Sequence, residues 1–224
     1  MRKPYFPLFA IFLSLFACKK SDDTTTPAAE KYMSLTSGST WNMKVVDNNL
    51  ATTTNYTLTS TNRDSTINGK SYHVLTNSST GINEYYLISG SDYYTFRNLT
   101  LATTTTQIEA IYLKDNLSAG GTWSQNYSIT VPGFPLAVPV TLSYTIAEKG
   151  ISRTVNGTAY SNVIHVTTAI SSSLIPSANL TSDIHSYYAP KYGLIENTNK
   201  VNLNYMGITQ NSDTKTTIVS ATIL

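Results

Sequence analysis

Val138-Pro139-Val140-Thr141-Leu142-Ser143-Tyr144-Thr145-Ile146 is the stretch that decides the fold. Val138, Val140, Leu142, Tyr144 and Ile146 fall on one side of an extended chain, with Thr141, Ser143 and Thr145 on the other, because successive side chains of a strand point to opposite faces. The same period returns where Val201, Leu203 and Tyr205 alternate with Asn202 and Asn204. It returns again over residues 215–224, which predicts a last strand that ends inside the sheet. Thr, Ser, Tyr, Val and Ile dominate, residues that suit a pleated, half-buried surface. Beyond the N-terminal leader no stretch keeps a helical period. Asn68-Gly69 and Asn156-Gly157 read as hairpin turns, since both residue types accept positive φ. Ser89-Gly90-Ser91-Asp92 reads as another, joining residues 85–88 to 93–96. The fold class is all-β and antiparallel.

Reading the chain against itself extends this. Leu35-Thr36-Ser37-Gly38-Ser39-Thr40-Trp41 returns 82 positions on as Leu117-Ser118-Ala119-Gly120-Gly121-Thr122-Trp123. Ser65-Thr66-Ile67-Asn68-Gly69-Lys70-Ser71-Tyr72 returns 88 positions on as Arg153-Thr154-Val155-Asn156-Gly157-Thr158-Ala159-Tyr160. Tyr85-Tyr86 corresponds to Tyr187-Tyr188 at an offset of 102. The order is kept while the spacing widens, as an internal duplication with insertions in the second copy would produce. The copies would span about residues 35–113 and 117–224 of a domain covering 32–224. Neither copy could hide its apolar face alone. Two related half-sheets are therefore expected to shield each other in a curved sandwich or open barrel, with Trp41 and Trp123 as equivalent core residues.

The N-terminus has a different character. Met1-Arg2-Lys3 precedes an apolar run from Tyr5 to Ala17 interrupted by Ser14, a charged region followed by a secretory hydrophobic region. The run is shorter than the roughly 20 residues that cross a bilayer, and Lys19-Lys20-Ser21-Asp22-Asp23 ends it. Leu15-Phe16-Ala17-Cys18 resembles the lipobox of bacterial lipoproteins, in which a cysteine is thioether-linked to diacylglycerol and becomes the mature N-terminus. The resemblance implies a signal peptide over residues 1–17, lipidation of Cys18 and a membrane held as partner through its acyl chains. Each buried CH₂ of such chains contributes about 0.8 kcal/mol. Cys18 is the only cysteine, so no internal disulfide can form. Residues 18–31 lack the large apolar side chains that could offset ordering entropy and read as a flexible tether.

The lysine and aspartate run after Cys18 also resembles the export signals of surface lipoproteins of the Bacteroidetes. Gly-x-Thr-Trp, together with Tyr187-Tyr188-Ala189-Pro190-Lys191-Tyr192-Gly193-Leu194-Ile195-Glu196, resembles segments of uncharacterised lipoproteins of that phylum, where a Gly-Leu-Ile step lies on a late strand of a curved antiparallel sheet. Asp23-Thr24-Thr25 and Asp64-Ser65-Thr66 resemble O-glycosylation sites of its envelope proteins. These resemblances imply an outer-membrane, cell-surface location and transfer no activity.

Charge and motifs narrow the function. The formal charge of +2 resides in the leader and tether, because from Tyr32 onward ten basic residues face ten acidic ones. The clustered basic surface that nucleic acid requires is missing. No Gly-x-Ser-x-Gly elbow, phosphate loop or dinucleotide fingerprint occurs. His73, His165 and His185 are not at metal-ligand spacing, although His73 and His165 follow the two Asn-Gly turns at related places and could meet across a pseudo-twofold axis. The carboxylates lie singly, and none selects itself as one of a hydrolytic pair. Accordingly no catalytic residue, metal or cofactor is assigned.

The tyrosine groups point elsewhere. Adjacent tyrosines on a strand face opposite ways, so one of each pair should serve the core and the other be presented to a ligand. Tyr86, Tyr94, Tyr188 and Tyr192 are the candidates. Phe134 joins them from the stiff apolar segment 131–139, which has no counterpart in the first copy and reads as a lid or a packed connection. The expectation is a non-catalytic envelope binding module for a glycan, peptide or envelope protein. The alternatives are a carrier of a hydrophobic ligand in a half-barrel cavity and, behind it, a carboxylate-dependent hydrolase. What separates them is whether a pocket exists and how it is lined.

Overall fold

A computed structural model describes residues 30–101, 104–130 and 137–224. The leader, Cys18, most of the tether and Phe134 lie outside the described residues. The chain forms twelve strands: β1 (Thr40–Asp47), β2 (Thr52–Ile67), β3 (Lys70–Asn77), β4 (Asn83–Ser89), β5 (Asp92–Leu101), β6 (Thr104–Lys114), β7 (Thr122–Ile129), β8 (Val138–Val155), β9 (Thr158–Ser171), β10 (Leu180–Ala189), β11 (Gly193–Tyr205) and β12 (Ile208–Thr222). No helix occurs among the described residues. Each strand pairs antiparallel with its neighbours in sequence, with one exception: β1 pairs with β12, while β6 and β7 form the two ends of the sheet. The result is one nearly closed barrel of two consecutive six-stranded halves, and not a sandwich of separate sheets.

Alternation decides which way each strand faces. On β8, Val138, Val140, Leu142, Tyr144 and Ile146 are all buried. On β1 the buried residues are Trp41 and Met43, with Asn42 exposed between them. The apolar side chains point inward, the reverse of a lipid-embedded barrel, whose apolar band faces outward.

The two Trp-bearing turns repeat bond for bond. Gly38 N–H donates to Ser60 O, Ser60 N–H to Ser39 O and Ser39 N–H to Thr36 O, at 2.9, 2.9 and 3.1 Å. Gly120 N–H donates to Ile146 O, Ile146 N–H to Gly121 O and Gly121 N–H to Ser118 O, at 2.8, 2.9 and 2.9 Å. Gly38 and Gly120 have φ of 88° and 84°, a region costly for any residue with a Cβ.

The Asn-Gly turns also repeat, with φ of 51° at Asn68 and 48° at Asn156. Asn156 additionally donates its Nδ2 to Ile218 O at 2.7 Å, pinning the tip of the long β8/β9 hairpin to β12. Asn156→Ala is therefore expected to destabilise the protein by about 1 kcal/mol more than Asn68→Ala, the net contribution of one such bond. Urea denaturation of the two variants measures the difference, and equal midpoints would remove the pin.

Between β6 and β7 the barrel closes without a backbone ladder. Alternate residues of β7 reach across instead. Trp123 Nε1 donates to Ile111 O at 2.9 Å and Tyr127 OH to Glu109 O at 2.7 Å. Gln125 accepts from Ile111 N at 2.6 Å and makes a long 3.5 Å contact to Glu109 O. Trp123 is half-buried here and stacks on Tyr144 with centroids 5.0 Å apart. Trp41 is 2% exposed in the opposite wall. Both indoles face the interior, but only Trp123 is a seam residue.

One mouth of the barrel is crossed by the segment before β1. Lys31 Nζ donates to Gly90 O, Tyr32 N to the Tyr93 hydroxyl and Tyr32 OH to Asn162 O, at 2.7, 3.0 and 2.7 Å. Ser34 N donates to Lys191 O at 2.9 Å. These partners sit in the β4/β5, β8/β9 and β10/β11 connections or beside them, so the segment spans one barrel mouth and drives buried Met33 inward.

Candidate ligand cavity

One side of the interior is filled. Residues of β6 to β11, including Ile108, Ile129, Leu142, Ile146, Ile164 and Leu203, form a continuous core. The wall of β1 to β5 leaves a cavity of about 420 Å³. It runs from Met33 and Tyr192 at the plugged end, past Trp41, Met43, Leu58, Tyr112 and Tyr188, to the β3/β4 loop, where Thr80 and Ile82 are exposed. Its lining is aromatic and thioether in depth and polar at the mouth, with Asn77, Asn83, Glu84 and Arg97.

Tyr112 is the hub of the aromatic wall. Its ring lies 6.2 Å from that of Tyr86, 6.1 Å from Tyr93 and 5.4 Å from Tyr188, the first two edge-on. Burial raises the pKa of the Tyr86 and Tyr112 phenols well above the ordinary value. Burial, with the Glu84 charge, pushes Tyr56 to about 12. The wall is therefore neutral at physiological pH. The Trp41 indole Nε1 is buried without a hydrogen-bond partner.

Of the tyrosines singled out from the sequence, Tyr86, Tyr188 and Tyr192 line this cavity. Tyr94 does not. It lies on the outer face with the Lys70 ammonium 4.6 Å above its ring, beside the Lys70–Glu109 ion pair at 2.5 Å and the Tyr72–Glu109 hydrogen bond. The one-buried, one-presented reading holds at Tyr93-Tyr94 and fails at Tyr187-Tyr188, where both are buried. Tyr188 faces in, while the outward Tyr187 is stacked on His165 at 4.2 Å and covered by the Arg153 guanidinium at 3.4 Å. Met33 and Arg97 were not picked out from sequence and Trp41 was read only as a core residue, because their meeting brings together segments distant along the chain.

The histidines form two outlying clusters. Two of the three carboxylates that pair with them lie directly across a strand pair beside a bulge, Asp64 opposite His73 and Glu148 opposite His165, and the third, Asp183, is two residues before His185 on β10. His73 Nδ1 is 3.0 Å from Asp64 and its Nε2 2.8 Å from Ser60 Oγ, a serine–histidine–aspartate row. Ser60 is nevertheless 1% exposed, its hydroxyl lies 3.1 Å from the Leu35 carbonyl, and none of the three lines a cavity. A nucleophile needs room for a substrate and oxyanion donors, so this row is a pin joining the N-terminal segment to β2 and β3.

His165 meets His185, not His73. The contacts run in series: Glu148 to His165 Nδ1 at 2.9 Å, His165 Nε2 to His185 Nδ1 at 2.8 Å, and His185 Nε2 to Asp183 at 2.8 Å. Burial lowers the His165 pKa; the Glu148 bond opposes this, and the His185 and Arg153 charges reinforce it. Tyr187 and the Arg153–Glu196 pair at 2.7 Å complete its surroundings. Because the folded-state value is depressed, the unfolded chain binds the extra proton first. The contribution is present above the unfolded value of about 6.5 and is lost as pH falls through the folded one. Unfolding temperature is expected to drop between pH 7 and 5, and His165→Gln should flatten the drop. Parallel profiles for the two proteins would refute it. No group of three or more His, Cys, Asp or Glu side chains among the described residues is placed to hold a metal.

No family model and no curated protein matches the chain. Among solved structures it is similar to the crystal structure of a "putative lipoprotein" from Parabacteroides distasonis, at 10% identity and a TM-score of 0.47, covering 86% of this chain and 99% of that one.

Proposed function

We propose that the chain is a non-catalytic lipoprotein of the cell envelope, tethered through acyl chains on Cys18, whose barrel holds a small amphipathic ligand in the cavity beneath the β3/β4 loop. The observation that carries this reading is a hollow of about 420 Å³ with Trp41, Met43, Tyr112 and Tyr188 in its wall. Small-molecule sites span roughly 300–1,000 Å³ and are mostly apolar with a few polar groups. A concave interior of this kind suits the carrier reading better than the docking of a whole protein. The acid pair of a hydrolase has no support here, since Glu84 is the one carboxylate in the described lining.

The matching glycine turns, Asn-Gly hairpins and cross-strand carboxylate–histidine pairs support an internal duplication, with the hollow lined chiefly by the first copy. The tether would leave from the plugged end, so the cavity mouth would face away from the membrane and take its ligand from the aqueous side.

Titrating a panel of simple sugars, aliphatic acids and aromatic acids while following tryptophan emission and unfolding temperature tests the site. A saturable emission change with a rise in unfolding temperature is expected for at least one class, and Trp41→Phe should abolish the emission change. A panel that moves neither quantity would remove the reading. Cys18→Ala is expected to release the protein from the membrane fraction; retention there would refute the anchor.

A further inference from the structure

The cavity holds one carboxylate and one guanidinium among its described lining residues. Both oxygens of Glu84 are engaged, one accepting from Asn77 Nδ2 at 2.8 Å and the other from Tyr86 OH at 2.9 Å. Arg97 on β5 is the one cation in the described lining. No carboxylate among the described residues lies within ion-pairing distance of it. Its guanidinium reaches across the interior, where Nη2 makes a long 3.4 Å hydrogen bond to the hydroxyl of buried Tyr144. Burial raises the phenol pKa of Tyr144 and Tyr188, and the Arg97 charge offsets part of that rise at both, so its field reaches the cavity wall. Deeper still, the wall is formed by Trp41, Met43, Tyr112 and Tyr188.

From this arrangement we infer that the ligand is an apolar carboxylic acid, bound as its anion, with the carboxylate on the Arg97 fork and an aromatic or aliphatic body against Trp41, Met43, Tyr112 and Tyr188. The inference rests on reading the hollow as a ligand site. A planar guanidinium matches one carboxylate through two parallel hydrogen bonds. A dianionic phosphate would find no second cation in the described lining and a carboxylate, Glu84, at the same mouth. Glu84, which a cationic ligand would seek, is already held by two hydrogen bonds within the wall, whereas Arg97 makes a single long one, and a neutral sugar would leave Arg97 without a counter-charge. Met33 and Met43 are unbranched and polarizable, so the body of the ligand can vary in shape.

The matched probes are 3-phenylpropanoate and 3-phenylpropanamide, titrated at pH 7 by calorimetry into the wild-type protein and into Arg97→Gln. Arg97 is exposed, so the variant is expected to fold, and its unfolding temperature checks that. The acid should bind about tenfold or more tightly than the amide, the scale of one charge-assisted hydrogen-bonded pair, and Arg97→Gln should erase the difference. Equal binding of acid and amide, or a preference that survives Arg97→Gln, overturns the carboxylate assignment and leaves the cavity reading intact. Failure of both probes at millimolar concentration overturns the carboxylate assignment; only if the wider panel also leaves Trp41 emission unmoved does the ligand site fall with it.

Discussion

Trp123→Ala is expected to lower the unfolding free energy by about 3–5 kcal/mol, the cost of removing a large packed aromatic side chain. The substitution would also open the barrel at its weakest point. Trp123 fills the seam by stacking nearly parallel on Tyr144, at 6°, and latches it through the 2.9 Å bond to Ile111 O. Trp123→Phe separates the two contributions, since it keeps most of the packing and leaves the Ile111 carbonyl unpaired, at a cost of about 1–3 kcal/mol. Urea denaturation gives the free energies, and amide exchange locates the effect. Ile111 N–H, bonded to Gln125 Oε1 at 2.6 Å, should exchange faster in both variants while amides of the β8–β9 ladder stay protected. Unchanged exchange at Ile111 would mean that the seam does not depend on these side chains. An unlatched barrel presents two free strand edges, the usual route to edge-to-edge association, so Trp123→Ala should also raise the tendency to self-associate.

A loss of similar size, about 3–5 kcal/mol, is expected for Tyr112→Ala. Tyr112 is 9% exposed and stands where the filled core meets the hollow, in ring contact with Tyr86, Tyr93 and Tyr188. Truncation would merge the cavity with a new void, and core voids are destabilising in proportion to their volume. Tyr112→Phe should cost less than about 1 kcal/mol, because the hydroxyl reaches only Met33 Sδ, a weak acceptor, at 3.6 Å. Denaturant midpoints for the pair test this. A phenylalanine variant as unstable as the alanine one would show that the hydroxyl, and not the ring, holds the wall.

Strand positions and turns were legible in the residues because both are local. Val138 to Ile146 carries its inward and outward faces in its own alternation, and Asn68-Gly69 and Asn156-Gly157 carry positive φ in their own chemistry. The related turns before Trp41 and Trp123 carry the same residue types in the same order and the same hydrogen bonds. Tyr86, Tyr188 and Tyr192 were singled out, and they line the cavity. Tyr94 obeyed the same alternation and faces outward because its neighbours Tyr93 and Thr95 take the buried face, leaving Tyr94 beside the paired Lys70 and Glu109. At Tyr187-Tyr188 the two-face rule failed because Arg153 and His165 cover the outer face there.

By itself, then, the sequence determined an antiparallel all-β chain, its hairpins and its repeated turns, since each depends on residues a few positions apart. Whether the strands would close as one barrel or stack as two sheets was decided by the β1–β12 ladder, which joins residues as far apart as Thr40 and Thr222. The tertiary structure alone placed Met33, Trp41, Arg97 and Tyr188 around one hollow and brought His165 against His185. Those are contacts between distant segments, set by how large side chains fill a closed wall, and no local pattern encodes which side of the interior stays empty.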